Sequence, residues 1–96
     1  MINYNNEVFI DNKEVKFKII QIISCERKLK EQSYIDGIPT AEHNLVIGFA
    51  LIEYKGGTRA IKPLVLSSDG CVEVFFGEIG MVTSKYGKVF REIEEI

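Results

Sequence analysis

The sequence predicts an all-β domain, a small antiparallel barrel or sandwich of roughly five to seven strands, with a short C-terminal helix as the one departure left open. Three observations lead there. Runs rich in Ile, Val and Phe recur at Glu7 to Ile23, Leu45 to Leu66 and Val72 to Phe76. Turn-forming residues separate them at Asn12-Lys13, Gly56-Gly57 and Ser67-Ser68-Asp69-Gly70. The central run, Leu45 to Ser67, is also apolar on both faces when drawn as a hairpin.

The first hairpin spans Glu7 to Ile23. A turn at Asn12-Lys13 pairs Val8 with Phe17 and Ile10 with Val15, leaving Asp11 opposite Glu14 as a mildly unfavourable like-charge pair. Its second strand is long: Val15, Phe17, Ile19 and Ile23 share one face, while the other passes from Lys16 and Lys18 to Ile20 and Ile22. A face that turns from polar to apolar partway is expected where a strand leaves solvent for a closed core.

Residues 26–44 show no clear period. Asp36-Gly37 and Pro39 read as a turn within a long irregular loop, a candidate lid or contact segment. In the central hairpin, a loop at Gly56-Gly57 suits a type I′ turn and pairs Tyr54 with Arg59, Ile52 with Ile61 and Gly48 with Val65. One face then carries Val46, Gly48, Ala50, Ile52, Ile61 and Val65; the other carries Leu45, Ile47, Phe49, Leu51, Leu64 and Leu66. Such a ribbon needs cover above and below, from the rest of the chain or from a partner. Pro63 falls in a non-hydrogen-bonded pair, so the outer side of its strand is an edge or a bulge.

Cys71 to Phe76 reads as a further strand with Val72, Val74 and Phe76 inward. In the tail, Met81 to Thr83 and Lys88 to Ile93 form two strands joined at Tyr86-Gly87. The helical spacing of Tyr86, Val89, Phe90, Ile93 and Ile96 is the competing reading. Strands are preferred because Gly87 is a poor opening for a helix and Val, Phe and Ile are β-prone.

Ninety-six residues with 46% hydrophobic and 27% charged content fit one folded domain with a single core. The net charge is −2, balanced along the chain, which argues against double-stranded nucleic acid as a partner. Cys25 and Cys71 lack metal-site spacing and read as buried thiols. The start of the chain has no secretory pattern and no apolar run is long enough for a membrane span, so a cytoplasmic location is expected. Isoleucine occurs 14 times against 5 leucines, and lysine 9 times against 3 arginines, a usage typical of low-GC genomes such as those of Gram-positive bacteria and their phages.

No arrangement of catalytic residues is recognisable. His43 has no converging partners, and Glu53 and Glu73 could face each other as an acid/base pair or sit at solvated strand ends. Gly56-Gly57-Thr58-Arg59 reads as a turn rather than a phosphate cradle. Lys85, Tyr86, Lys88, Phe90 and Arg91 interleave bases with aromatics as single-strand binders do. Arg27, Lys28 and Lys30 with Tyr34 could meet an acidic partner or a phosphate.

The candidate binding residues are therefore Arg27, Tyr34, Arg59, Lys85, Tyr86 and Arg91. The expectation is a non-enzymatic binding protein without cofactor or metal, a homo-oligomer in which the two-sided ribbon is covered. It would be a small phage or mobile-element accessory protein that inhibits a host defence or regulatory system by capturing a host protein or a signalling nucleotide. Two alternatives stay open: a structural subunit of a phage particle or homo-oligomeric β-assembly, and a small-barrel module that binds single-stranded nucleic acid.

Overall fold

Asp36 and Gly37 both adopt positive φ, 54° and 76°, and close the longest hairpin of the molecule. The computed structural model describes Tyr4 and residues 6–96. Its strands are β1 (Asn6–Ile10), β2 (Lys13–Ile35), β3 (Ile38–Tyr54), β4 (Arg59–Leu66), β5 (Val72–Val74), β6 (Gly80–Ser84) and β7 (Gly87–Glu95). All pair antiparallel in one sheet of order β5-β4-β3-β2-β7-β6, with β1 also on β2. The chain is all-β; the sheet curls but does not close into a barrel.

The irregular loop expected at 26–44 is instead the far half of the β2–β3 hairpin, paired from Arg27 with Val46 to Ile35 with Ile38. Asp-Gly is a strong type I′ signal, and its two-residue loop lets the flanking polar residues pair without any apolar period. Pro39 lies opposite Tyr34, next to the hydrogen-bonded Ile35–Ile38 pair, so its missing N–H points to the free outer edge of β3.

Two registers differ from expectation. In the first hairpin the positive φ falls on Asp11 and Asn12, which tolerate it, rather than on Lys13. Val8 therefore faces Val15, and Asn6 faces Phe17. In the central hairpin, Tyr54 N–H donates to Thr58 C=O at 2.7 Å and Gly57 N–H to Tyr54 C=O at 2.9 Å, giving a three-residue loop. Ile52 then meets Ala60 and Leu51 meets Ile61. That one-residue slip exchanges the faces of β4: Leu64 turns inward at 5% exposure, and Ile61, expected inside, is 69% exposed.

The core is Phe17, Ala50, Ile52 and Leu64, with Val8, Ile47, Tyr54, Ala60, Val74 and Phe76 packed against it. Phe76 meets Phe17 edge-on with ring centroids 5.1 Å apart. The face of β2 expected to pass from Lys16 and Lys18 into a closed core at Ile20 and Ile22 does not reach one, while Phe17 on the opposite face is buried. Ile19, Ile20, Ile22 and Ile23 all stay exposed, because no strand pairs with the outer edge of β2 between β1 and β7 among the described residues. Irregularities after Ile19 and after Ser24 bend β2 there, and one after Val46 bends β3 against β4. The thiols also differ from expectation: Cys25, within the second bulge, is half-buried, and Cys71 is exposed.

Gly48 marks the tightest point of this bend, since a Cβ there would lie 2.7 Å from the Ile23 carbonyl oxygen. Gly48→Ala is expected to cost about 1–3 kcal/mol through overpacking against backbone that cannot rotate away. Urea unfolding checks this, and an unchanged midpoint would mean β2 and β3 are not pressed together at that point.

Candidate functional site

The half of the sheet made by β1, the first part of β2, the last part of β3, β4 and β5 curls until its two end strands border one groove of about 460 Å³. Asn6, Glu7 and Val8 of β1 form one bank, and Val72, Glu73 and Val74 of β5 the other. Phe17, Ile19, Ile22, Leu64 and Phe76 form the floor. Ile22 is 55% exposed and Val72 47%, so the lining is apolar and open.

Both banks are strand edges. The two-residue turn at Asp11-Asn12 makes Ile10–Lys13, Val8–Val15 and Asn6–Phe17 the hydrogen-bonded pairs, so the Glu7 N–H and C=O point away from β2. On β5, the Phe75 N–H donates to the Pro63 C=O at 2.9 Å. Alternation then aims Glu73 at β4 and leaves the N–H and C=O groups of Val72 and Val74 outward. By the pleat, Val8, Val72 and Val74 face the floor, and Glu7 and Glu73 face the convex side.

A second polar cluster lies on that convex side. Lys18, Glu53 and Arg59 are cross-strand neighbours on β2, β3 and β4. Glu53, only 7% exposed, accepts from Tyr4 Oη at 2.8 Å and Arg59 Nε at 3.1 Å, with Lys18 Nζ 3.4 Å away. The Tyr4 hydrogen bond, then that of Arg59, and the Lys18 charge hold its carboxyl below the ordinary value of 4.5 against the opposing effect of desolvation. Reciprocally, donating to Glu53 raises the Tyr4 hydroxyl above 10.0. Glu53 is therefore a paired anion rather than a solvated strand end. Glu73, opposite Val65 on β5, does not face it.

The candidate binding residues fall in four places. Tyr34, Lys85 and Tyr86 meet at the far end of the sheet: Asp36 N–H donates to Tyr86 C=O at 3.0 Å, and Lys85 Nζ lies 4.9 Å from the Tyr86 ring centre. Lys88 joins them opposite Tyr34. Arg91 is occupied within the sheet, 2.7 Å from Glu31 Oε2 and 3.3 Å from the Glu78 carbonyl. Arg27 sits at the second bulge and donates to the Glu26 carbonyl at 2.8 Å. Arg59 belongs to the Glu53 cluster at the other end. His43 is exposed on β3 opposite Lys30. No three His, Cys, Asp or Glu converge as metal ligands among the described residues.

Of the groove residues, Glu7, Val8, Ile22 and Val72 are not among the candidate binding residues, and Glu73 is a candidate only as an acid/base partner of Glu53. Val72, Val74 and Phe76 were recognised as inward-facing, but nothing in their alternation shows that β5 lacks an outer neighbour. Recognising Asp36-Gly37 as a hairpin turn would have revealed β2 and β3 as one long pair and β1 and β5 as the ends of a meander. No protein-family model, no curated protein and no solved structure matches the chain.

The Glu53 cluster gives a pH dependence of definite sign. A carboxyl whose folded pKa is lowered contributes stability that is complete above the ordinary 4.5 and is lost as pH falls through the folded value. Thermal melts between pH 7 and pH 3 should therefore show the native protein losing more stability on acidification than Glu53→Gln. Parallel losses would mean the carboxylate is not held by its three donors.

Proposed function

We propose that this chain is a non-enzymatic binding protein that holds a segment of another protein in the groove between β1 and β5. The observation that carries the proposal is the pair of strand edges, unpaired among the described residues, that border one apolar floor. Edge groups of this kind recruit peptide backbone, and exposed Ile and Val side chains supply the apolar contact. Of the two targets expected from sequence, charge favours the protein. Among the described residues no basic side chain lines the groove to hold a phosphate, and the charged residues on its banks, Glu7 and Glu73, are acidic. The low-GC residue usage suits a small phage or mobile-element accessory protein, acting in the host cytoplasm to block a defence or regulatory protein by occupying it.

Self-association is a second reading, favoured by the convex face. Ile23 lies opposite Phe49, and Leu51 opposite Ile61, in an apolar row beside the Glu53 cluster. Ile23 and Ile61 are both largely exposed in the single chain. Light scattering on the purified protein separates the two, since a monomer at micromolar concentration removes the assembly reading.

Protein capture is tested by placing a photo-crosslinking amino acid at Val72, within the groove, and at Lys55, in the remote β3–β4 loop, in cells of a low-GC bacterium. A discrete protein adduct at Val72 and none at Lys55 is the expected outcome. Absence of any adduct, or a nucleotide released by heating the purified protein that also raises its melting temperature, would overturn the proposal.

A further inference from the structure

We propose that the partner segment enters the groove as a sixth strand, antiparallel to both β1 and β5, whose residue between Glu7 and Glu73 is lysine or arginine and whose two flanking residues are apolar. This rests on the reading of the groove as a protein-binding site and specifies the chemistry of what fills it.

Strand direction is the first argument. From β1 to β5 each strand is antiparallel to the next, so an odd number of strands leaves β1 and β5 running the same way. Direct closure would require a parallel pair, the weaker ladder, and the two strands do not pair. One intervening strand running the opposite way satisfies both edges and completes an antiparallel barrel.

The free backbone groups fix the register of that strand. A residue that pairs with the outward N–H and C=O of Glu7 has its side chain on the convex side, beside Glu7 and across from Glu73. Its two neighbours point their own backbone groups the other way, towards those of Val72 and Val74, and turn their side chains onto Phe17, Ile22, Leu64 and Phe76. The two edges thus demand the same alternation. Three residues on each bank line the groove, so a paired stretch of about 10 Å is enough.

Charge identifies the outward residue. On the convex side of the β1 bank Glu7 lies beside Glu14, which pushes its carboxyl up against the opposing charge of Lys16, its cross-strand neighbour and the ion-pair partner of Glu14, so two carboxylates share one ammonium there. Glu73 adds a carboxylate from the other bank, and among the described residues no basic side chain lines the groove. A cation between two carboxylates is the favourable cross-strand neighbour, and an anion the unfavourable one. A second copy of this chain is a poorer source, because its outermost strand β6, Gly-Met-Val-Thr-Ser, carries no charge.

The test uses the full chain and two capped pentapeptides, one alternating valine with lysine and one alternating valine with glutamate. Amide hydrogen exchange at Glu7, Val72 and Val74 should slow with the lysine peptide, which should bind at least about tenfold more tightly than the glutamate peptide. The double variant Glu7→Lys/Glu73→Lys should reverse that preference. Val72→Pro, which removes an outward N–H while leaving the β4 ladder intact, should weaken binding without lowering the melting temperature. Equal binding of the two peptides, or unchanged exchange at these amides at millimolar peptide, would overturn the strand-insertion proposal. So would slowing of the same amides with protein concentration alone, which would assign the groove to a second copy. Protein crosslinking at Val72 together with unchanged exchange would leave capture standing and remove only this mode of it.

Discussion

One strand edge has to serve two partners, and the shape of the molecule follows from that constraint. β2 is 23 residues long, and its outer edge takes β1 over Lys13–Phe17 and β7 over Arg27–Ile35. Its inner edge pairs with β3 from Phe17 to Ile35, interrupted at two irregularities. A flat sheet could carry both outer strands in line, but here β2 bends between them, at the irregularities after Ile19 and Ser24. One end of the sheet becomes the curled β1–β5 meander, and the other the β2–β3–β7–β6 extension that lengthens the molecule to 49 Å.

The bend also explains why so much isoleucine lies in water. Ile19 to Ile23 occupy the stretch where, among the described residues, the outer edge of β2 has no neighbouring strand, and Ile19, Ile20, Ile22 and Ile23 are exposed there. Gly48 allows the opposite strand to press against this point, with no Cβ to hold the Ile23 carbonyl away. Gly87 has the same role at the far end: its φ is 150° and a Cβ would fall 1.9 Å from the Tyr34 carbonyl oxygen. Gly48 permits backbone approach within the β2–β3 hairpin and Gly87 between β7 and β2, and polar pairs such as Ser33 and Thr40, whose hydroxyls hydrogen-bond, help hold the far half of that hairpin.

The sequence makes the β class legible because each strand has either alternation or a strong turn beside it. Met81 to Thr83 and Lys88 to Ile93 are strands joined through Lys85-Tyr86, and Ser67 to Gly70 is a turn closed by the Gly70 N–H on the Ser67 carbonyl. The far half of the long hairpin was illegible for a physical reason. Its stability comes from a two-residue turn and from flanking strands, so polar residues serve at positions where apolar ones would be expected. The registers differ for other reasons: in the first hairpin the two-residue turn sits one position earlier, on Asp11 and Asn12, and in the central hairpin a glycine pair accommodates two-residue and three-residue loops alike. The candidate site shared both failures. Basic and aromatic side chains draw attention in a sequence, yet Arg91, Arg59 and Arg27 are spent on internal partners, whereas the groove is defined by backbone edges that no residue type announces.

What keeps the meander open is the route of the chain after β5. Continuing the strand past Val74 would lengthen the β4 ladder, each further hydrogen bond worth about 0.5–1.5 kcal/mol net. Instead the chain leaves the edge at Phe75, and Phe76 turns inward against Phe17 and Tyr54. Phe76 is partly buried, so its packing contributes less than the about 1.5–3 kcal/mol of a fully buried ring, and the edge-on contact with Phe17 adds about 0.5–1.5 kcal/mol. The two together match or exceed one further ladder bond, and Phe76 packs on the floor where β5 ends after three residues. At the other end of β5, Ser67 and Asp69 tie the preceding turn, the Asp69 carboxyl held low by its Ser67 hydrogen bond and the Cys71 N–H. Pinned at both ends, β5 cannot slide or grow to meet β1. The contact that completes the core is thus the one that leaves the groove unclosed, which ties the stability of the fold to the availability of its edges.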